Sequence, residues 1–172
     1  MKDVFLLYDT CCLYEVVILN YFMKATGCEM VFCSPDGKAV TAMEGYSLNM
    51  DMGLRDLDPA VVRSFTVPGG DIRQADSGTV TEVLKQVRAN GALIGGICAG
   101  VDLLEREGIL EGLDSTHSKE EDVVKDQNVI TARGNAYVDF AIAMGRELNL
   151  FADEADLQET IDFWKYHKRM DG

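Results

Sequence analysis

Histidine is nearly absent from this chain: 172 residues hold only two, His117 and His167, and no CxxC pair accompanies either. That scarcity excludes the common zinc architectures, which need His and Cys at short, repeated spacing. No metal and no cofactor is expected. Basic residues are also few, 16 Lys and Arg against 29 Asp and Glu, for a formal net charge of −13. Nucleic acid, heparin-like polymers and anionic membranes all need a positive footprint, so none is an expected partner. Long apolar runs are missing as well. Near the start, Val4 to Tyr8 and Val16 to Leu19 are the longest, far short of the roughly 20 residues that span a bilayer. Met1-Lys2-Asp3 opens straight into an apolar run without the layout of a signal peptide. The five cysteines (Cys11, Cys12, Cys28, Cys33, Cys98) are odd in number and lack disulfide-framework spacing. A reducing cytoplasm suits them.

Hydrophobic residues make up 47% and charged residues 26%, the mix of an ordinary globular protein. At roughly 150 residues per domain, residues 1–172 read as one domain. Strand-like and helix-like segments alternate, the pattern of an α/β sheet with crossover helices. Strands are expected at Val4–Tyr8, Glu29–Cys33, Phe65–Val67, Ala92–Ile97 and Val129–Thr131, with a short edge strand near Ala39–Met43. Lys38 to Asp58 is otherwise irregular. Helices are expected at Tyr14–Ala25 closed by Gly27, at a capping box of Thr79 and Glu82, at Cys98–Glu107, from Gly134-Asn135 to about Leu148, and at about Glu154–Lys168.

Chemistry concentrates at Gly96-Ile97-Cys98-Ala99-Gly100, between an expected strand and an expected helix. This is a G-x-nucleophile-x-G elbow with Cys as the nucleophile. The sharp turn strains the backbone of the central residue, and the flanking glycines make room for it. It also places the sulfur at a helix N-terminus, where partial positive charge favours thiolate, so Cys98 is expected to ionise below a free cysteine. The Ala99 N–H would point at an oxyanion on the substrate. A lone cysteine at a strand end is more often a small buried hydrophobe, and the glycine frame argues against that here. Pro68-Gly69-Gly70, closing the preceding strand, would bring a second N–H, that of Gly70, to the same oxyanion. In a parallel sheet both motifs fall at carboxyl strand ends, where such sheets bind ligands.

PGG, GICAG and the following VDLLEREGIL together resemble the ThiJ/PfpI superfamily, as do Ser115-Thr116-His117 and Thr131-Ala132-Arg133-Gly134. That group includes the parkinsonism-associated protein, cofactor-free glyoxalases, isonitrile hydratases and PfpI-type peptidases, and is related to class I glutamine amidotransferases. The resemblance implies a flavodoxin-like three-layer α/β/α sandwich with a mainly parallel sheet, and a homodimer. It also implies an acid in the first turn after strand one that reaches the elbow Cys, and Glu15 stands there. A carboxyl in so apolar a segment tends to hold its proton and can donate to a thiolate. The alternative is an acid that serves only the helix dipole. His117 is an accessory candidate, or a structural histidine. Cys11 and Cys12 lie near the expected site mouth, as partners for Cys98 or as ordinary loop cysteines.

PfpI-type peptidases carry His directly after the nucleophile, and Ala99 holds that place here. Three readings follow. The first is a cofactor-independent cysteine enzyme on a small electrophile such as a 2-oxoaldehyde, with Cys98 attacking and Glu15 moving the proton. The second is an isonitrile-hydratase-like or amidase/peptidase-like hydrolase. The third is a redox sensor with an oxidisable thiolate.

Overall fold

The computed structural model describes residues 1–169. Seven strands form one sheet in the order β5-β2-β1-β6-β7-β9-β8. They are β1 (Lys2–Leu6), β2 (Met30–Ser34), β5 (Met52–Gly53), β6 (Val62–Val67), β7 (Leu93–Ile97), β8 (Val123–Asp126) and β9 (Val129–Ala132). All pairings in it are parallel except β8 against β9. The helices are α1 (Tyr14–Ala25), α2 (Gly78–Ala89), α3 (Ala99–Arg106), α4 (Tyr137–Glu147) and α5 (Glu154–Trp164).

The chain leaves β1 toward β2 in one direction, whereas β6, β7 and β9 advance in the other. With right-handed crossovers, α1 therefore covers one face and α2 and α3 the opposite face. Two adjacent glycines of β7 register the same division. A side chain on Gly95 would meet Phe140 and Met144 of α4, and one on Gly96 would meet Leu104 of α3. Helix α4 packs beside α1. The result is the flavodoxin-like three-layer sandwich, and its core of Phe5, Leu19, Phe65, Ile94, Leu103 and Phe140 is fully enclosed. None of the helices among the described residues is long and apolar enough to cross a membrane.

Several boundaries differ from expectation for local reasons. Strand β1 starts at Lys2 because Asp3, although charged, is buried on two partners, Arg63 and Ser64. Helix α2 starts before the expected capping box: Ser77 caps it, its Oγ accepting from the Val80 N–H at 3.3 Å. Thr79 lies inside the helix, and its hydroxyl accepts from Arg55 instead. The strand near Ala39–Met43 is not at the sheet edge. Val40–Thr41 (β3) pairs with Ser47–Leu48 (β4) in a separate antiparallel hairpin, and the true edge is the short β5, within the stretch read as irregular. Strand β8 had no signal because its turn runs through Gln127 at φ 50° with no glycine. One turn of 3-10 helix over Gly134–Ala136 delays α4 to Tyr137, and α5 ends at Trp164.

Candidate active site

Four carboxyl strand ends converge on one point: β1 leads to Glu15, β6 to Gly69 and Gly70, β7 to Cys98, and β9 to Gly134. This lies beside the switch between β1 and β6, where the winding reverses and open sheets bind ligands. Cys98 joins β7 to α3 at φ 56° and ψ −130°, a left-handed conformation that costs a non-glycine residue about 1–3 kcal/mol. Its N–H is tied to Ala132 O at 2.9 Å. Gly100 is required two residues on, since any Cβ there would run into the Val67 carbonyl. The elbow is real, and it leaves Cys98 exposed.

The sulfur and the Glu15 carboxyl sit together between two glycines. A Cβ placed on Gly69 would lie 3.0 Å from Cys98 Sγ and 2.9 Å from Glu15 Oε2. One on Gly134 would lie 3.0 Å from the same sulfur and 3.1 Å from Oε1. Glu15 is only 1% exposed. Its Oε2 accepts from the Gly69 N–H at 2.6 Å, and its Oε1 from the Tyr14 hydroxyl at 3.3 Å. No cation is among these partners. Since Glu15 takes the Gly69 N–H, Gly70 is the member of the pair whose N–H makes no hydrogen bond among the described residues. The Ala99 N–H faces the sulfur.

Burial pushes the Glu15 carboxyl above its ordinary range, against the pull of Gly69, Cys98 and Tyr14. Although Cys98 is exposed as a residue, its sulfur is partly enclosed between Gly69 and Gly134, and this burial pushes the thiol up. The charge and hydrogen bond of Glu15 push it further, while the Ala99 N–H pulls it down. The expected depression of the thiol is therefore reversed, first by burial and then by Glu15. Its nearest charged partner is an acid rather than a base. The two groups share one proton more readily than they lose both, so thiolate requires that Glu15 keep it.

The other candidates are placed as follows. Cys11 is fully buried, and burial raises its thiol. Cys12 is the loop cysteine that senses Glu15 and Cys98, with its thiol pushed up to about 11, first by burial. The Cys12 N–H holds Gly69 O at 2.9 Å. His117 turns both ring nitrogens to α3, Nδ1 on Glu105 at 2.9 Å and Nε2 toward Asp102 at 3.4 Å, so neither is aimed at the sulfur. Asp102, Glu105 and His117 bring one ligand atom each within 4.8 Å of one another, a grouping that sequence spacing did not reveal. All three are exposed, and the imidazole nitrogens are already turned to the two carboxylates. An apolar cavity of about 350 Å³ lies apart from Cys98, beneath α1, lined among others by Phe5, Val16 and Phe32. Sequence reasoning missed Gly69 as the donor to Glu15, and also Tyr14 and Gly134, whereas Cys12 was expected near the site mouth. Gly134 alone carried a signal, in the TARG segment.

This convergence of a strained cysteine, a buried acid and paired glycines on a flavodoxin-like sheet defines a class of cysteine-elbow proteins. The DJ-1/PfpI family model matches residues 1–147, and the chain belongs to that family. It is similar to a deglycase from Pyrococcus abyssi, 25% identical over 59% of this chain and 63% of the relative. A glutathione-independent glyoxalase from Caenorhabditis elegans is 27% identical over 73% of this chain and 65% of its own length. The matches thus span less than two-thirds of these curated relatives. Among solved structures, a DJ-1 superfamily protein from Agrobacterium tumefaciens superposes with a TM-score of 0.86 at 26% identity, covering 98% of this chain and 100% of that one. Oxidized DJ-1 from Toxoplasma gondii shares the fold, with a TM-score of 0.80 at 21% identity over 93% and 95% of the two chains.

Proposed function

We propose that this protein is a cofactor-independent cysteine enzyme acting on a small reactive aldehyde, in the manner of a glyoxalase or deglycase. One observation carries the reading: the buried Glu15 carboxyl and the Cys98 sulfur are held side by side with no cation between them. A thiolate formed there adds to the aldehyde carbon of a 2-oxoaldehyde. The C–S bond forms as the carbonyl π pair moves onto oxygen, the N–H groups of Ala99 and Gly70 hold that oxyanion, and Glu15 supplies its proton. A hemithioacetal needs no amine leaving group protonated, which suits a site with Ala99 where a peptidase has His. The names of the two curated relatives point the same way.

The test is saturable consumption of methylglyoxal that disappears in Cys98→Ser. Undiminished turnover in that variant would end the reading. Turnover of isonitriles instead would assign the hydrolase reading, and a peroxide-dependent mass gain at Cys98 without turnover the sensor reading.

We further propose that the enzyme works in the cytoplasm as a homodimer. Tyr14, Val17 and Tyr21 form an exposed stripe on α1, and Met43 and Tyr46 are exposed on the hairpin, a surface suited to a second copy. Sedimentation at micromolar concentration distinguishes dimer from monomer.

A further inference from the structure

Helix α1 carries Glu15 in its first turn and lacks a cap of its own. Its N-cap residue is Leu13, whose side chain accepts nothing. Four N–H groups at a helix start need partners from elsewhere. Two of them find one in the β3–β4 hairpin: Glu44 Oε1 accepts from the Tyr14 N–H at 2.7 Å, and Oε2 from the Leu13 N–H at 3.1 Å. Both oxygens of one carboxylate are thus spent on the turn that holds Glu15.

The rest of the hairpin is stitched to the same segment. Thr10 N–H donates to Thr41 O at 2.8 Å, Met43 N–H to Cys11 O at 2.9 Å, and Thr41 N–H to Asp9 Oδ1 at 2.8 Å. Residues 9–14 are therefore fixed by the hairpin on one side and by Gly69 and Gly70 on the other. The hairpin adds nothing to the main sheet.

We propose that Glu44 is a positioning residue of the Glu15–Cys98 site, capping α1 from the hairpin so that the Glu15 carboxyl stays against the sulfur. This role rests on the site reading given above. Glu44 touches neither the sulfur nor any reacting atom. Its negative charge also pushes the Glu15 carboxyl up, in the direction that keeps the proton there. The other titratable groups facing the pair are Tyr8 and Cys12 on the β1–α1 segment, Tyr14 on α1 and Asp102 on α3. All are acids and none is a cation, so a change at Glu44 is not masked by a compensating base.

The test reads the thiol directly and needs no substrate. Cys98 alkylation by iodoacetamide is followed against pH by peptide mass in wild type, Glu44→Ala, Glu44→Gln and Glu15→Gln. If the cap holds the first turn of α1 in register with the sulfur, its loss shifts that positioning equilibrium roughly fivefold. Glu44→Ala should therefore alkylate Cys98 about fivefold more slowly at neutral pH, with the profile moved to higher pH. Glu44→Gln keeps one acceptor and should fall between that variant and wild type. A cap with a purely structural role lowers the melting temperature and leaves the profile in place. Folded Glu44 variants with profiles superimposed on wild type overturn the proposal, and if Glu44→Ala does not fold, Glu44→Gln decides alone. If Glu15→Gln moves the profile and the Glu44 variants do not, only the positioning role fails. If Glu15→Gln leaves it unmoved too, the pairing of Glu15 with Cys98 fails and the role of Glu44 falls with it.

Discussion

Two buried carboxylates sit at opposite ends of the same strand region, and their partners differ in kind. Asp3, 0% exposed at the start of β1, accepts from Arg63 Nη2 at 2.5 Å, Arg63 Nε at 3.0 Å and Ser64 Oγ at 2.7 Å. Glu15, 1% exposed beyond the carboxyl end, has a backbone N–H, a tyrosine hydroxyl and a thiol. The first is a charge neutralised on arrival, and it ties β1 to β6. The second is left without a counter-ion, so its proton is free to be held or given. A fold that must bury an acid neutralises it; a site that must move a proton leaves it unneutralised.

The largest effect that sharpens this contrast is on turnover. Glu15→Gln keeps the shape and can still donate a hydrogen bond, but it cannot exchange a proton. It should lower kcat on methylglyoxal by about 10²–10⁴-fold, the usual worth of a general acid–base group, with the circular dichroism spectrum unchanged. Asp3→Asn at the other carboxylate should leave kcat per folded molecule where it was. A comparable kcat loss in both would erase the distinction between them.

The next effect runs the other way, on stability. Arg63→Met strips Asp3 of its cation and leaves a buried charge on one hydroxyl. Breaking a fully buried pair costs about 3–5 kcal/mol. Because the Arg63 side chain is 33% exposed, solvent screening reduces this to about 2–3 kcal/mol. Urea unfolding at neutral pH measures it. A cost near zero would mean that Ser64 and water satisfy the Asp3 carboxylate without the guanidinium.

Thiol chemistry supplies a smaller, ordinal contrast among the cysteines. Burial holds Cys33 up at about 12 and Cys12 up at about 11. Both should resist alkylation at pH 7, with Cys12 labelling before Cys33 as the pH is raised. Cys98, exposed and lying against a proton-holding acid, should label before either. Prior labelling of Cys33 would show that its enclosure in the sheet is not maintained in solution.

How much of this was legible beforehand follows the range of the interactions. The elbow and PGG are local strings, and Cys98, Ala99 and Gly70 could be read from them. Helix α1 was bounded correctly because its apolar spacing and the Gly27 stop are also local. Glu15 needed the family resemblance, because nothing in YEVVILNYFMKA says what faces the helix. Gly134 showed only as part of the TARG string, and Glu44 was out of reach for a stronger reason. Glu44 acts on residues about thirty positions away, and of its hairpin, with two-residue strands, only the first arm was expected, as a sheet edge and not as half of a hairpin. Strand β8 was hidden by a turn without glycine, and Ser77 lost to the more familiar Thr79–Glu82 pattern. Residues that make an element are visible along the chain; residues that meet across elements are not.

The subtlest expected effect is the pH dependence of stability, and it isolates Glu15 from its partner. Burial raises the Glu15 carboxyl in the folded state, so the native protein keeps this proton to a higher pH than the unfolded chain does. Between the ordinary carboxyl value and the raised one, the native state binds more protons, and stability falls as pH rises through that window. Below the window the contribution is fully present. Above it, the cost of a buried, ionised Glu15 is fully incurred. Glu15→Gln has no proton to lose and should skip this decline, growing more stable than its parent across the window and then holding a constant lead. Since the Cys98 thiol is also raised, the comparison is best made with Cys98→Ser in both chains, which removes the second titration and leaves burial, the largest cause of the Glu15 shift. Urea midpoints from pH 4 to 8 give the difference curve. A flat curve would mean that Glu15 titrates folded as it does unfolded, and the carboxyl would then be an anion held by Gly69 and Tyr14 rather than a proton store for Cys98.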